Sequence, residues 1–277
     1  MTVKKKLLTE KLKLTLSKNE IHLWTTKPQE LLKEANNHSL KEKYQALLTD
    51  DETIKQQRYK FEKDRHDALI TRAFIRDLLS YYADVAPSDW RFNKGEKDKP
   101  EIVNPPLPLR FNISHTKDLI ICAVTLIDDI GCDVEDTTRN NDVLSIADRF
   151  FSPSETEALF SLPKEKQRHR FFDYWTLKES YIKAWGLGLA IPLKDFSFTI
   201  KTAVKNRPNG EITLGFAKHR VDRPEVWRSW LFYPNDKHRI AVSLRAQSNN
   251  QECHYSFKFF NSVPLVSCQE LTHLNLS

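Results

Sequence analysis

Three short segments carry side chains whose types and spacing could do chemistry. Asp133 and Glu135 stand two residues apart at the end of the apolar run Ile130–Glu135. In a strand, that spacing turns both carboxylates to one face. Carboxylates side by side repel, and they persist when solvated, protonated or bridged by a cation. Oxygen donors without a zinc-type spacing of His or Cys favour Mg²⁺ or Mn²⁺ over zinc. The plain alternative is an acidic turn, because Asp136 follows. The second segment is Trp175 to Lys183, W-T-L-K-E-S-Y-I-K. Glu179 and Lys183 are four apart and share a helix face, which by spacing alone describes a surface ion pair. Apolar neighbours Trp175 and Ile182, and the stop at Gly186-Leu187-Gly188, turn that pair toward a third metal ligand and a phosphate-binding or proton-donating lysine. The third segment is Asn112-Ile113-Ser114-His115, at a strand end. Its Ser and His suit phosphate binding or proton transfer, and equally an ordinary turn.

The elements that must position these residues follow from periodicity. Lys11–Ser17 alternates strictly and reads as a strand, paired as a hairpin with Glu20–Trp24. A helical stretch opens at Pro28 and runs to about Leu48. Thr49 to Glu52 caps a long helix from about Glu52 to Tyr82, with Lys55, Arg58, Arg72 and other basic residues on its polar face. Pro87–Pro108 is loop-rich, with Lys94, Lys97 and Lys99 close together. Strands follow at Arg110–Ile113, Leu119–Ile127 and Ile130–Glu135. Ser152-Pro153-Ser154-Glu155 has capping-box spacing, and a second long helix spans about Pro163–Trp185. The remainder reads as strands at Phe196–Ile200, Glu211–Phe216, Val226–Tyr233, Ile240–Arg245 and Tyr255–Phe260. Strands mixed with few helices predict an α+β fold.

Composition narrows the classes. The chain has 277 residues, 40% hydrophobic and 29% charged, which is globular. Lys plus Arg number 43 against 37 Asp plus Glu, so the net charge of +6 leans toward anionic partners without making a polycation. The longest apolar run, Leu119–Ile127, is far short of the ~20 residues that span a membrane. No signal-peptide pattern follows the basic start, and none of Cys122, Cys132, Cys253 and Cys268 forms a C-x-x-C pair. These features predict a reduced, cytoplasmic protein with no membrane partner.

In conjunction, the segments say more. The order N-I-S-H, G-C-D-V-E, R-F-F-S-P-S-E and W-T-L-K-E-S-Y-I-K-A-W-G-L-G-L resembles the 4′-phosphopantetheinyl transferases of the two-lobed, surfactin-synthetase type. Both signatures of that family, G-[IV]-D-[IVL]-E and W-x-x-K-E-x-x-x-K, find their counterparts at Gly131–Glu135 and Trp175–Lys183, with Cys132 at the first variable position. The resemblance runs from about Lys55 to Leu193. It implies transfer of 4′-phosphopantetheine from coenzyme A to a serine of an acidic apo acyl or peptidyl carrier protein, releasing 3′,5′-ADP. It implies Mg²⁺ on Asp133 and Glu179 with Glu135 as a third ligand, Mn²⁺ as a substitute, and Asp133, Glu179 and Lys183 as the catalytic set. It places Lys55, Arg58, Arg72, Lys97, Lys99, Ser114, His115 and Lys183 on coenzyme A. It implies two pseudo-twofold-related lobes, each a small antiparallel sheet on a long helix: residues 1–127 for coenzyme A phosphate contacts, residues 128–250 for the metal and catalytic motifs, and a tail, 251–277, packing back on the first lobe. A monomer without a nucleic-acid partner completes the expectation.

Two departures stand out. Lys97-Asp98-Lys99-Pro100 has Asp98 where the family usually has Gly in G-K-P, and Asp67 sits where some relatives carry a base. Carrier docking is expected beside the cleft, over Thr137–Phe151, with Arg139 and Arg149 supplying charge and Phe150 and Phe151 an apolar anchor. The competing readings are a metal-dependent phosphodiesterase or nuclease, which commonly needs an acid-x-Lys strand motif, and a non-catalytic scaffold that binds carrier proteins.

Overall fold

The run Leu119–Leu126 is apolar at every position but Thr125, so it needs cover on both faces. In the computed structural model it is a central strand, buried along nearly its whole length. The structure describes residues 13–29, 38–95, 99–103, 105–186, 191–201, 211–247 and 254–276. In chain order the elements are β1 (Glu20–Thr26), α1 (His38–Gln45), α2 (Asp50–Gln57), α3 (Glu62–Leu79), β2 (Phe92–Lys94), β3 (Pro100–Ile102), β4 (Leu109–Thr116), β5 (Leu119–Leu126), β6 (Asp129–Asp136), α4 (Val143–Phe150), α5 (Pro153–Phe160), α6 (Lys164–Trp185), β7 (Phe196–Lys201), β8 (Glu211–Phe216), β9 (Trp227–Phe232), β10 (His238–Arg245), β11 (Ser256–Val263) and β12 (Ser267–Leu271). The fold is α+β.

Five strands form one sheet in the order β12-β11-β1-β5-β4, and three form another in the order β6-β10-β9. The sheets meet through Ile21, Leu23, Ile121 and Ala123 on one side and Ile130, Val134, Ile240 and Val242 on the other. The outer face of the larger sheet, with Trp24, Cys122, Val124 and Phe260, is covered by Leu69, Ala73, Phe74 and Leu78 of α3. The other face of β10 and β9, with Ala241 and Leu231, is covered by Leu177 and Tyr181 of α6. The chain crosses from one sheet to the other in the two residues between β5 and β6. There Ile127 takes φ 70°, and Asp128 accepts from Gln247 N at 2.9 Å and Tyr255 Oη at 2.8 Å.

Several local expectations change. Residues 13–17 are not a strand; residues 11 and 12 lie outside the described residues. Instead of a local hairpin, β1 pairs antiparallel with β5 and parallel with β11, because every residue of β1 is buried and needs a neighbour on each edge. The larger sheet is therefore not purely antiparallel. The long helix expected over 52–82 is two helices, broken at 58–61. No residue of α2 is buried, so it has no apolar stripe continuous with that of α3. Its link is Glu52, which meets Arg76 Nη2 at 2.7 Å and Arg72 Nε at 3.7 Å. Arg65 Nη1 closes the break by donating to Tyr59 O and Lys60 O. Of the stretch expected from Pro28 to Leu48, the structure describes helical residues 28–29 and α1.

Candidate active site

The pleat of β4 organises the site. Asn112, Ser114 and Thr116 alternate onto one face, turned toward β6, while Leu109 and Phe111 face the α3 core. Asn112 Oδ1 accepts from Cys132 N at 2.9 Å, Ser114 Oγ donates to Asp133 Oδ1 at 2.9 Å, and Thr116 Oγ1 accepts from Arg139 Nη2 at 2.8 Å. These three polar side chains fasten β4 to β6 and its following turn, where the two strands share no backbone ladder.

On β6 the alternation divides the motif G-C-D-V-E. Cys132 and Val134 enter the core between the sheets, whereas Gly131, Asp133 and Glu135 face α6. Gly131 is required by contact. A Cβ there would clash with Ser180 O and Ala184 N, both backbone atoms of α6. The helix axis can approach β6 this closely only across a missing side chain. That approach brings Lys183 Nζ to 2.6 Å from Asp133 Oδ1 and 2.8 Å from Ser114 Oγ.

The three sequence segments thus meet at Lys183. The lysine bonds Asp133 rather than the helix neighbour Glu179 that spacing suggested. Burial opposes its charge, yet Asp133 outweighs burial and holds the Lys183 pKa above its usual value. Glu135 and Glu179 are both pushed up to about 7, chiefly by burial and then by the Asp133 charge. Asp133 Oδ2 is buried without a hydrogen-bond partner. Glu135 Oε2 has Arg139 Nη1 at 2.9 Å, off the line of a hydrogen bond. Three carboxylates that repel one another, one with an orphaned buried oxygen, fit a divalent cation of oxygen preference. Among the described residues no three His, Cys, Asp or Glu side chains form a ready-made metal cage; Lys183 and Arg139 stand beside Asp133 and Glu135.

The other expected site residues are placed as follows. Ser114 is in the cluster. His115, one residue on, is turned the other way by the pleat and is exposed. Its pKa is lowered by loss of water on its inner side and by the charge of Lys183. Lys55 and Arg58 lie exposed on α2 and at its end. Arg72 faces Glu52. Lys97 lies outside the described residues. Lys99 Nζ donates to Ile130 O at 3.2 Å and Ala184 O at 3.4 Å. It ties the start of β6 to the end of α6. Gly186 then ends α6 at φ 76°. Phe151 is 1% exposed and stacks on Phe171, so it is core and not a docking anchor; Phe150 is half-buried beneath Arg149.

Sequence reasoning missed four supporting residues: Gly131 as a packing requirement, Thr116 and Arg139 as a latch, and Lys178. The Thr116 signal was its two-residue step from Ser114. Lys178 is fully buried. Its Nζ donates to Leu193 O and Phe196 O and pairs with Glu155 Oε2 at 2.8 Å. Glu155 Oε1 in turn accepts from Phe198 N. The lysine of K-E is therefore a clamp on the back of α6, while the glutamate faces the cluster.

Comparison with known proteins completes the picture. Residues 129–243 match the model of the 4′-phosphopantetheinyl transferase superfamily, and residues 34–126 that of the 4′-phosphopantetheinyl transferase N-terminal region. The 4′-phosphopantetheinyl transferase HetI of Nostoc sp. is 36% identical over 182 residues, covering 64% of this chain and 73% of that protein. The transferase Sfp of Bacillus subtilis is 36% identical over 174 residues, 62% of this chain and 73% of Sfp. A crystal structure of Thermotoga maritima holo-[acyl-carrier-protein] synthase aligns with TM-score 0.35 at 20% identity, over 44% of this chain and 66% of that one. That structural similarity is too low to bear on the site.

Proposed function

The chain belongs to the 4′-phosphopantetheinyl transferase family, and from that membership we propose that it moves 4′-phosphopantetheine from coenzyme A to a serine of an acidic apo carrier protein, using Mg²⁺. The observation that carries this reading is Lys183, whose Nζ joins the helix motif to Asp133 of the strand motif and to Ser114 of the third.

Asp133 and Glu179 would hold the cation, with Glu135 as a third ligand and Mn²⁺ accepted by the same donors. When bound, the cation neutralises charge that builds on the diphosphate. The chain's own residues do the rest. Glu179, or a water held by a carboxylate, takes the proton from the carrier serine. The serine oxygen attacks the phosphorus on the pantetheine side, the bond from that phosphorus to the bridging oxygen breaks, and 3′,5′-ADP leaves. Lys183 neutralises the charge of the departing phosphate, an electrostatic role in a site partly closed to water. Ser114 from the cluster and His115 from the opposite face of β4 would contact the phosphates, with Lys55 of α2 and Arg58 at its end as exposed cations. Residues 1–127 supply the coenzyme A contacts, 128–250 the metal and catalytic motifs, and 251–277 the returning tail. We read the two helix-covered sheets as lobes related by a pseudo-twofold, in a monomeric cytoplasmic enzyme.

The test is mass spectrometry of apo acyl and peptidyl carrier proteins incubated with the chain, coenzyme A and Mg²⁺. A mass gain equal to one phosphopantetheine, absent without coenzyme A, is expected. No gain on several acidic carriers, with cleavage of plasmid DNA instead, would replace the reading by the phosphodiesterase one.

A further inference from the structure

Arg139, expected from the sequence as a carrier-docking charge, is also engaged inside the site. It lies four residues beyond Glu135, in the turn after β6. Its guanidinium has two engagements: Nη2 donates to Thr116 Oγ1 at 2.8 Å, and Nη1 lies 2.9 Å from Glu135 Oε2. Thr116 is buried on the β4 face that also presents Ser114, so this contact is fixed from the far strand. The arginine spans the rim of the site, from the strand of Ser114 to the strand of Asp133. Its side chain keeps 42% exposure, so it can leave without unpacking the core.

The charge arrangement gives this contact a consequence. Lys183 stands against Asp133 Oδ1 and Arg139 against Glu135 Oε2. Each carboxylate of the strand motif therefore has its own internal cation. A divalent ion drawn to Glu135 meets the guanidinium charge already beside Oε2, and the two cations repel across that carboxylate.

We propose that Arg139 is an internal counter-ion of Glu135, a positioning residue that competes with the divalent cation and so sets how tightly the cation binds. The proposal rests on the metal reading of Asp133 and Glu179 given above. On loading, the guanidinium exchanges Glu135 for solvent while Thr116 keeps it at the rim. No covalent bond changes.

The experiment measures Mn²⁺ alone, by electron paramagnetic resonance of the free ion at low ionic strength, on the full chain. Arg139→Gln is expected to bind Mn²⁺ about fivefold more tightly than the unaltered chain, the scale of a partly exposed ion pair. Arg139→Lys should return near the unaltered value. Unchanged or weaker Mn²⁺ binding in Arg139→Gln overturns the proposal. If that variant instead only raises KM for the carrier, Arg139 is a docking charge. Asp133→Asn separates the two ideas: it should lose Mn²⁺ binding. If it keeps that binding, the metal reading itself fails. A thermal melt of each variant checks folding, and Thr116→Val offers a second route. It releases the guanidinium without removing it, and should tighten Mn²⁺ by less than Arg139→Gln; no change in Thr116→Val together with no change in Arg139→Gln counts against the latch.

Discussion

Lys183 and Asp133 are held at 2.6 Å in a setting where Lys183 is less than a third exposed and Asp133 is buried. An ion pair so placed is a weak source of stability, because desolvation offsets much of the attraction. Its position between three motifs argues for a role in the reaction. Lys183→Met should lower kcat for transfer by about 10²–10³, the usual cost of losing one charge-stabilising group. The melting temperature should fall much less than loss of a core residue would cause. The check is steady-state transfer beside a thermal melt; turnover within a few-fold of the unaltered enzyme would remove Lys183 from the mechanism. Asp133→Asn should abolish transfer in the same assay.

At the scale of elements, the site depends on how closely α6 lies on β6. Gly131→Ala places a methyl group on the backbone of Ser180 and Ala184, and neither can move without the whole helix. We expect about 1–3 kcal/mol of destabilisation and loss of transfer, since Lys183 and Glu179 ride on that helix. Gly215→Ala is the control: its Cβ meets Ser197 Oγ at 3.5 Å and Ser197 O at 4.0 Å, ordinary contact distances, so urea unfolding should barely change. Equal effects at the two glycines would refute the packing argument. The back of α6 is secured by the buried Lys178–Glu155 pair. Lys178→Met alone should cost about 3–5 kcal/mol, by leaving Glu155 buried and unpaired. Adding Glu155→Gln should cost less than the sum, which a double-mutant cycle measures.

The whole molecule is closed by its tail, because β11 completes the larger sheet beside β1. At that seam His22 is fully buried, with Nδ1 2.8 Å from Tyr82 Oη and Nε2 3.3 Å from Glu20. Lys258 of β11 meets Glu20 at 2.9 Å, and Trp24 and Phe260 stack beside them. Burial pushes the His22 pKa down to about 4, against the pull of Glu20. Burial also opposes the Glu20 carboxylate, but Lys258, the Ser17 N–H and His22 outweigh it and hold its pKa below the usual value. Both folded values are depressed, so both contributions have one sign. The His22 contribution is intact above pH 6.5 and is lost as the pH falls toward 4; that of Glu20 is lost only below the ordinary carboxylate range. From the His22 shift the loss is about 3 kcal/mol. Urea unfolding between pH 7 and 4.5 should show this slope, and His22→Gln should flatten it. A parallel slope in that variant would exclude His22 as the source. Truncation before Ser256 should destabilise the whole chain, since it bares the edge of β1.

The donor types of the site and most of the elements are legible in the sequence. The spacings of Asp133 with Glu135 and of Glu179 with Lys183 are local, fixed by the two-residue pleat and the helical turn. They place the donor types on shared faces before any tertiary contact is known. The capping box at Ser152–Glu155 and the strand of β8 were legible for the same reason. Tertiary structure decided which faces meet. Nothing within Gly131–Glu135 says that the glycine exists for α6, or that Lys183 answers Asp133 rather than Glu179. Those contacts join residues about 50 positions apart and arise only when α6 packs on the face of β6. A sequence shows the charges of Lys99 and Arg72 but not their partners, and folding sets them against carbonyls and Glu52. The pairing of β1 with β11 was hidden for the same reason: a strand buried on both faces must find edge partners wherever the chain supplies them, and here one came from the opposite end.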